Sequence, residues 1–225
     1  MRNNSIHTRL LAGDSQTLSA HELLEALLEF GAQKNINASR RARFFIQRFG
    51  TLGDVIAEDT DVLLESRHID ESVVVLFRLV HAIAIHLTRE EAKSRDIISS
   101  PDALIDYFKV SLSSLKRERF VALLLDAKNA LIKEITLDGT INHAPVYPRE
   151  IARQALALNA ISIILVHNHP SGDPHPSLAD IQMTDKIASI CHSVGVRVID
   201  HFIIGRSRYT SFHQSGLMRK FDEEN

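Results

Sequence analysis

Cysteine, net charge and long apolar runs are all scarce in this sequence of 225 residues. The single cysteine, Cys191, excludes an internal disulfide and a zinc site built from paired cysteines, and it fits a reducing cytoplasm. The 26 Lys and Arg against 28 Asp and Glu leave a formal net charge of -2, so no global positive field draws the chain to nucleic acid or to an anionic membrane. Any DNA binding must therefore be local.

The sequence predicts neither a secretory signal nor a membrane span. Residues 1–17 lack the apolar core and the small-residue cleavage site of a signal peptide. The most apolar stretch, Val73 to Leu87, is interrupted by Arg78 and His81 and is shorter than the roughly 20 residues that a bilayer requires. We therefore expect a buried helix there, in a cytoplasmic protein that has no membrane partner.

The first part of the chain, residues 1–95, has the pattern of a run of short helices. Ser19 and Glu22 predict a capping box at the start of a helix that Gly31 ends. A second helix is closed by Gly50 and has arginines mainly on its solvated side. The residues predicted for its buried face are Ala42, Phe45, Ile46 and Phe49. Ser100 followed by Pro101 predicts the start of another helix and a domain boundary before it.

The second part, residues 101–225, alternates between strand and helix patterns. Apolar runs at 120–125 and 130–137, separated by the turn residues 126–129, predict a hairpin. A helix is predicted in REIARQALALNA, and the aliphatic run 161–167 is typical of a strand buried on both faces. A second helix, LADIQMTDKIASICHSV, ends at Gly195, and 196–204 returns as a strand. This order predicts an α/β fold with a mixed sheet flanked by helices.

The residues that bear chemistry lie in ILVHNHPSGDPHPSLAD, residues 164–180. Because side chains alternate along a strand, His167 and His169 point to the same side. Pro170 stops the strand, and a turn brings Ser177 and Asp180 to the start of the next helix. Two histidines and a carboxylate leave zinc an open fourth position for water. Ser177 and Asp180 also fit a helix cap, and it is the joint spacing that favours a metal site.

This spacing resembles the JAMM motif of JAB/MPN metalloproteases, and longer stretches resemble the RadC family. These stretches are PVYPREI, LNAISIILVHNHPSGDPHPSLAD and VIDHFIIGRSRYTSF. The resemblance implies a small helical domain of helix-hairpin-helix type over residues 1–95, followed by a JAB/MPN domain over 101–225. It also implies a zinc-dependent hydrolase that cleaves a peptide or isopeptide bond.

Carried over residue by residue, the resemblance implies that His167, His169 and Asp180 hold one zinc ion. It further implies that Ser177 hydrogen-bonds the reacting oxygen and that Glu118 is the general base, for which Glu150 is a reserve candidate. Because ligating imidazoles usually need a partner for their second nitrogen, Asp200 and His201 are candidates for that role. His143, His175 and His192 are expected to be ordinary surface histidines, and Cys191 a small core residue.

The hairpin of the helical domain departs from the family pattern, in which two glycines let the backbone approach a phosphate. Residues 67–71 read RHIDE, with no glycine and two acidic residues, so we expect weak or absent DNA binding there. A peptide or protein is the expected substrate. The alternatives are a DNA-repair accessory or scaffolding protein with a non-catalytic zinc site, or a nuclease. Zinc deaminases use cysteine ligands that this chain lacks. Both a monomer and a homodimer are compatible with the sequence.

Overall fold

The computed structural model describes residues 5–32, 37–66, 68–94, 101–138 and 148–219. The chain divides into two compact units, residues 1–84 and 85–225, and the division falls inside one long helix. The domain boundary that the sequence predicts lies at residues 96–100, which are outside the described ranges.

The first unit is helical, as the periodicity predicts. The predicted capping box is confirmed, since Glu22 N–H donates to the Ser19 hydroxyl at 3.2 Å and Ser19 N–H donates to the Glu22 carboxylate at 2.8 Å. A second capping box, Thr51 with Asp54, starts a helix that we did not predict. The helices are α1 (Ile6–Leu11), α2 (Ala20–Gly31), α3 (Ala38–Phe49), α4 (Leu52–Ala57), α5 (Thr60–Glu65) and α6 (Glu71–Ser94).

The core of this unit comes from apolar residues that recur on one side of each helix. Of the predicted buried face of α3, Ala42 and Phe45 are fully buried, and Ile46 and Phe49 pack partly buried against the same cluster. The largest fully buried side chains of the unit are Leu24, Leu28, Phe45, Leu63 and Phe77.

Helix α6 differs from the buried helix that we predicted. It extends over 24 residues, and its buried side chains among the described residues are Val73, Val74, Phe77 and Ala92. Four large apolar side chains remain exposed, and their spacing of four residues places them on one face of the helix. They are Val75, Leu79, Ile83 and Leu87. Its residues Glu71–Ala92 are long and apolar enough to cross a membrane by length and composition alone.

The second unit contains a five-stranded mixed sheet in the order β2-β1-β3-β4-β5. Strands β3 and β4 pair in parallel, and the other neighbouring strands pair antiparallel. The mixed sheet and the predicted hairpin of β1 and β2 are thereby confirmed. The elements are α7 (Pro101–Leu112), β1 (Arg119–Leu125), β2 (Leu131–Asp138), α8 (Pro148–Ala157), β3 (Ser162–Asn168), α9 (Leu178–His192), β4 (Arg197–Ile204) and β5 (Tyr209–Ser211).

Helices cover both faces of the sheet, which explains why β3 is buried along its whole length. Side chains of α7, such as Phe108, pack with Val121 and Val166 on one face. Side chains of α8 and α9 pack with the opposite face, and Cys191 lies among them, as predicted. Burial raises the pKa of the Cys191 thiol to about 11, so this group is an inert core residue.

Candidate metal centre

The two histidines of the motif stand at the carboxyl end of β3, on the sheet face that α8 and α9 cover. His167 pairs with Phe120 of β1 and with Ile203 of β4. His169 extends the strand by one further hydrogen bond, from its N–H to the Ile204 carbonyl at 3.0 Å. The strand alternation therefore brings both imidazoles to one side, as predicted, and their Nε2 atoms lie 3.1 Å apart.

A tight turn after His169 returns the chain toward α9. Gly172 N–H donates to the His169 carbonyl at 2.9 Å, and Arg206 N–H donates to the Gly172 carbonyl at 3.1 Å. The turn packs so closely on Gly205 that a Cβ there would lie 2.5 Å from the Gly172 carbonyl oxygen and 2.8 Å from Pro174 Cδ. Only glycine at position 205 admits this turn without displacement.

Asp180 takes part both in the cap of α9 and in the cluster with the histidines. Its Oδ2 accepts hydrogen bonds from the Ser177 backbone N–H at 2.8 Å and from the Ser177 hydroxyl at 2.6 Å, which completes a capping box. Its Oδ1 is buried, and no described residue donates a hydrogen bond to it. The helix cap and the metal site are therefore compatible, because they use different oxygens of one carboxylate.

Two separations in the cluster match those of a tetrahedral zinc site. Bonds of about 2.0–2.1 Å at tetrahedral angles place ligand atoms about 3.3 Å apart. The His167 and His169 Nε2 atoms are 3.1 Å apart, and His167 Nε2 lies 3.2 Å from Asp180 Oδ1. The short contact of His169 Nε2, at 3.3 Å, is with the other carboxylate oxygen, Asp180 Oδ2. These three residues form the group of the described chain that could hold a metal ion.

The second ring nitrogen of each histidine supports the same arrangement. His169 Nδ1 lies 2.8 Å from the Asp173 carbonyl, which can only accept, so Nδ1 carries the proton and a neutral ring has its lone pair on Nε2. His167 Nδ1 lies 2.8 Å from His201 Nε2. Of the two candidate partners it is thus His201 that contacts a motif histidine. Asp200 instead accepts from the backbone N–H groups of His201 and His213 and from the Ser211 hydroxyl.

The electrostatics of the cluster favour a bound cation. Burial alone would raise the pKa of Asp180, but the imidazoles of His167 and His169 and the hydroxyl of Ser177 outweigh it and hold this pKa below its ordinary range. The contact with the Asp180 carboxylate, more than the nearby charge of Glu118, raises the pKa of His169. Burial lowers the pKa of His201 well below its ordinary value, so that ring is neutral at physiological pH. An ionised carboxylate and two imidazoles thus converge on one point, as metal ligands do.

Glu118 lies on the same side of the sheet as the histidines, directly before β1. The register pairs Phe120, two residues after Glu118, with His167, and the charge of Glu118 is near enough to His169 to raise its pKa. The intervening Asn168 points to the other side and anchors the segment: its Oδ1 accepts from Arg119 N–H at 2.8 Å, and its Nδ2 donates to the Arg117 carbonyl at 3.2 Å. We did not predict this role of Asn168, although strand alternation already places it opposite to the histidines.

The reserve candidate Glu150 and the histidines His175 and His192 lie outside the cluster. Glu150 accepts hydrogen bonds from Arg153 and Gln154 of its own helix, and the bond from Arg153 lowers its pKa to about 2. His175 and His192 are exposed, as predicted, and His143 lies outside the described residues.

Comparison with known proteins agrees with this fold. The family model of the RadC-like JAB domain matches residues 98–217. The chain belongs to the RadC family. A UPF0758 protein of Ruegeria pomeroyi is 39% identical over 214 residues, which cover 95% of this chain and 95% of that protein. A UPF0758 protein of Rhodobacter capsulatus is 41% identical over 214 residues, which cover 95% of this chain and 100% of that protein.

Membership of the RadC family confirms the predicted α/β fold class of a JAB domain behind a helical region. The names of these relatives state no activity, and a fold by itself does not determine one. The reaction must therefore be argued from the residues of the site.

Proposed function

We propose that this RadC family member is a zinc-dependent hydrolase of JAMM type that cleaves a peptide or isopeptide bond. The observation that carries the proposal is that His167 Nε2 lies 3.1 Å from His169 Nε2 and 3.2 Å from the buried Asp180 Oδ1, which has no hydrogen-bond donor among the described residues. Two imidazole lone pairs and a carboxylate oxygen at such distances repel one another unless a metal ion or an added proton lies between them. In this proposal His167, His169 and Asp180 hold the zinc.

A bound zinc ion supplies Lewis acidity, which lowers the pKa of a water molecule and polarises a carbonyl group. Three protein ligands leave one position of a tetrahedral site open, as in catalytic rather than structural zinc sites. His169 is partly exposed while His167 and Asp180 are buried, so the cluster is reached from the His169 side.

Glu118 performs the proton transfers of the proposed reaction. As a water oxygen bonds to the amide carbon, Glu118 takes the proton that the water loses. Glu118 then delivers this proton to the amide nitrogen as the C–N bond breaks, which releases an amine and a carboxylic acid. The position of Glu118 two residues before Phe120, the register partner of His167, supports this role, and its carboxylate is close enough to raise the pKa of His169.

Ser177 is assigned to the reacting oxygen, which its hydroxyl would stabilise as negative charge develops there. In the structure this hydroxyl donates to Asp180 Oδ2 at 2.6 Å. The backbone N–H of Ser177 also donates to Oδ2, at 2.8 Å, so the carboxylate keeps a donor when the hydroxyl turns toward a substrate. The role of Ser177 therefore requires rotation about one side-chain bond and leaves the cap partly intact.

The first test is the zinc content of purified protein, measured by elemental analysis. We expect about one zinc per chain in the wild type, and its loss in His167→Ala and in Asp180→Ala, because two donors rarely hold zinc. His175→Ala is the matched control, since this exposed histidine lies in the adjoining loop and outside the cluster. A wild type that neither contains zinc nor takes it up would refute the proposal.

The second test separates a hydrolase from an accessory protein with a non-catalytic zinc site. Glu118→Gln keeps the size of the side chain but removes the base, so we expect full zinc content and at least a 100-fold loss of peptide or isopeptide cleavage. Equal cleavage rates in this variant and in the wild type would contradict the assignment of Glu118.

A location in the cytoplasm belongs to the same proposal and rests on the single cysteine.

A further inference from the structure

Behind the metal centre, four groups form a continuous buried chain of contacts from α9 to β3. The Thr184 hydroxyl lies 2.6 Å from the Asp180 backbone carbonyl and 2.6 Å from His201 Nδ1. On its other side, His201 Nε2 lies 2.8 Å from His167 Nδ1. The side chains of Thr184, His201 and His167 are each about 1% exposed, so their hydrogen bonds are made with one another rather than with bulk solvent.

The direction of each hydrogen bond in this chain follows from the number of protons available. The Asp180 carbonyl has no proton, so the single hydroxyl proton of Thr184 is donated to it. The Thr184 oxygen must then accept from His201 Nδ1, so a His201 ring with one proton carries it on Nδ1. His201 Nε2 is left with a lone pair and accepts from His167 Nδ1. His167 therefore carries its own proton on Nδ1 and has a lone pair on Nε2, which points at the metal position.

The ring of His201 is held in this orientation by its neighbours. Phe120 contacts it edge-on, with ring centroids 5.6 Å apart, and Phe212 packs on it at 4.7 Å. The backbone of β4 is fixed at this residue as well, because its N–H donates to Asp200 and its carbonyl accepts from Phe212 N–H. Reorientation of the ring would require this packing to open.

The two motif histidines differ in what orients them. His169 donates to a backbone carbonyl, which can only accept, and this contact alone sets its tautomer. His167 instead faces another imidazole, which is able to donate or to accept. Without Thr184, either of the two facing ring nitrogens could carry the proton of this hydrogen bond. A proton on His201 Nε2 would force the His167 proton onto Nε2 and block ligation.

We propose that Thr184 and His201 are positioning residues that fix the tautomer of His167 and so present its Nε2 lone pair to the metal. The Asp180 backbone carbonyl fixes the direction of this chain of hydrogen bonds, which we call the relay. One residue thus supplies both a metal ligand and the group that orients another ligand. Partners of this kind commonly change metal affinity by about 10- to 100-fold when they are removed. The inference rests only on the metal-binding part of the proposed function.

The direction of the relay can be tested without metal, by nitrogen-15 NMR of the histidine rings in zinc-free protein. We expect the His201 signal of the wild type to show a protonated Nδ1 and an unprotonated Nε2. Thr184→Ser keeps the hydroxyl and should leave this pattern unchanged. Thr184→Val removes the hydroxyl at nearly constant volume, so His201 loses its acceptor and should move its proton to Nε2. A proton on His201 Nε2 in the wild type would overturn the inference.

The consequence for the metal is tested by competition with a chromophoric zinc chelator. Thr184→Val should bind zinc about 10-fold or more weakly than the wild type, whereas Thr184→Ser should stay within about threefold. Circular dichroism confirms that both variants are folded, and Thr184→Ala serves as a second variant without the hydroxyl. Equal zinc affinity in Thr184→Val and the wild type would refute the inference and leave the proposed function standing. A wild type that binds no zinc would refute the proposed function, while the NMR experiment still decides the direction of the relay.

Discussion

Replacement of Asn168 by alanine tests whether the residue between the two motif histidines positions Glu118. Asn168 is fully buried and joins the end of β3 to the segment before β1. Its side chain makes hydrogen bonds with Arg119 N–H at 2.8 Å and with the Arg117 carbonyl at 3.2 Å. Because it points away from His167 and His169, its loss should affect the segment that carries Glu118 and spare the metal ligands.

The size of the effect follows from these contacts. Two hydrogen bonds contribute about 1 kcal/mol each, and the cavity left by the amide adds to this, so we expect a loss of about 2–3 kcal/mol in the free energy of unfolding. For a chain of this size the midpoint of thermal unfolding should fall by about 4–10 °C. If Glu118 acts as proposed, kcat for peptide cleavage should fall by about 10- to 100-fold, since small misplacements of a catalytic group are costly.

Three measurements decide the matter: thermal unfolding followed by circular dichroism, zinc affinity by chelator competition, and the rate of cleavage. Zinc affinity in Asn168→Ala should remain within about threefold of the wild type, in contrast to the loss expected for removal of a ligand. Ser162→Ala is the matched control, because Ser162 is buried in the same strand and its hydroxyl has no partner among the described residues. An unchanged melting temperature, or a loss of zinc like that expected for His167→Ala, would refute the reasoning.

Three further predictions concern the turn, the sheet and the helical unit. Gly205→Ala should lower zinc affinity by about 10-fold, because a Cβ lying 2.5 Å from the Gly172 carbonyl displaces the turn that orients His169. Gly53→Ala is its control, and equal chelator competition in both variants would contradict it. Burial, as the larger cause, and the charge of Glu134 together raise the pKa of Tyr107 to about 12. The folded state therefore favours the protonated phenol, which stabilises the fold. This stabilisation is fully present below the ordinary pKa of about 10 and is lost as pH rises toward 12, by about 2 kcal/mol. The free energy of unfolding, measured with urea, should therefore fall more steeply with pH for the wild type than for Tyr107→Phe over this range. Parallel curves for the two proteins would contradict the prediction. Finally, fluorescence anisotropy with duplex DNA at physiological salt should give a Kd weaker than micromolar, because residues 67–71 contain no glycine and two acidic residues. Tighter, salt-dependent binding would contradict this prediction.

The helical unit shows where local sequence is sufficient and where it is not. The capping box of Ser19 and the apolar spacing of α2 and α3 depend on contacts within a few residues, so they could be predicted. Which side of α6 is buried depends on how much core the other helices supply. Val75, Leu79, Ile83 and Leu87 are as apolar as the buried residues beside them, and only packing left them exposed.

At the candidate metal centre, too, local sequence predicts some features and tertiary contacts decide others. The alternation of β3 places His167 and His169 on one side, and the spacing to Asp180 returns a carboxylate at the next helix start, so the sequence by itself was sufficient to predict that these three side chains come together. The contacts of Asn168 with the segment before β1, and of His201 with Thr184 and His167, join residues that lie 17 to 51 positions apart in the chain. Such contacts depend on strand register and on helix packing across the sheet, and only the tertiary structure decides them.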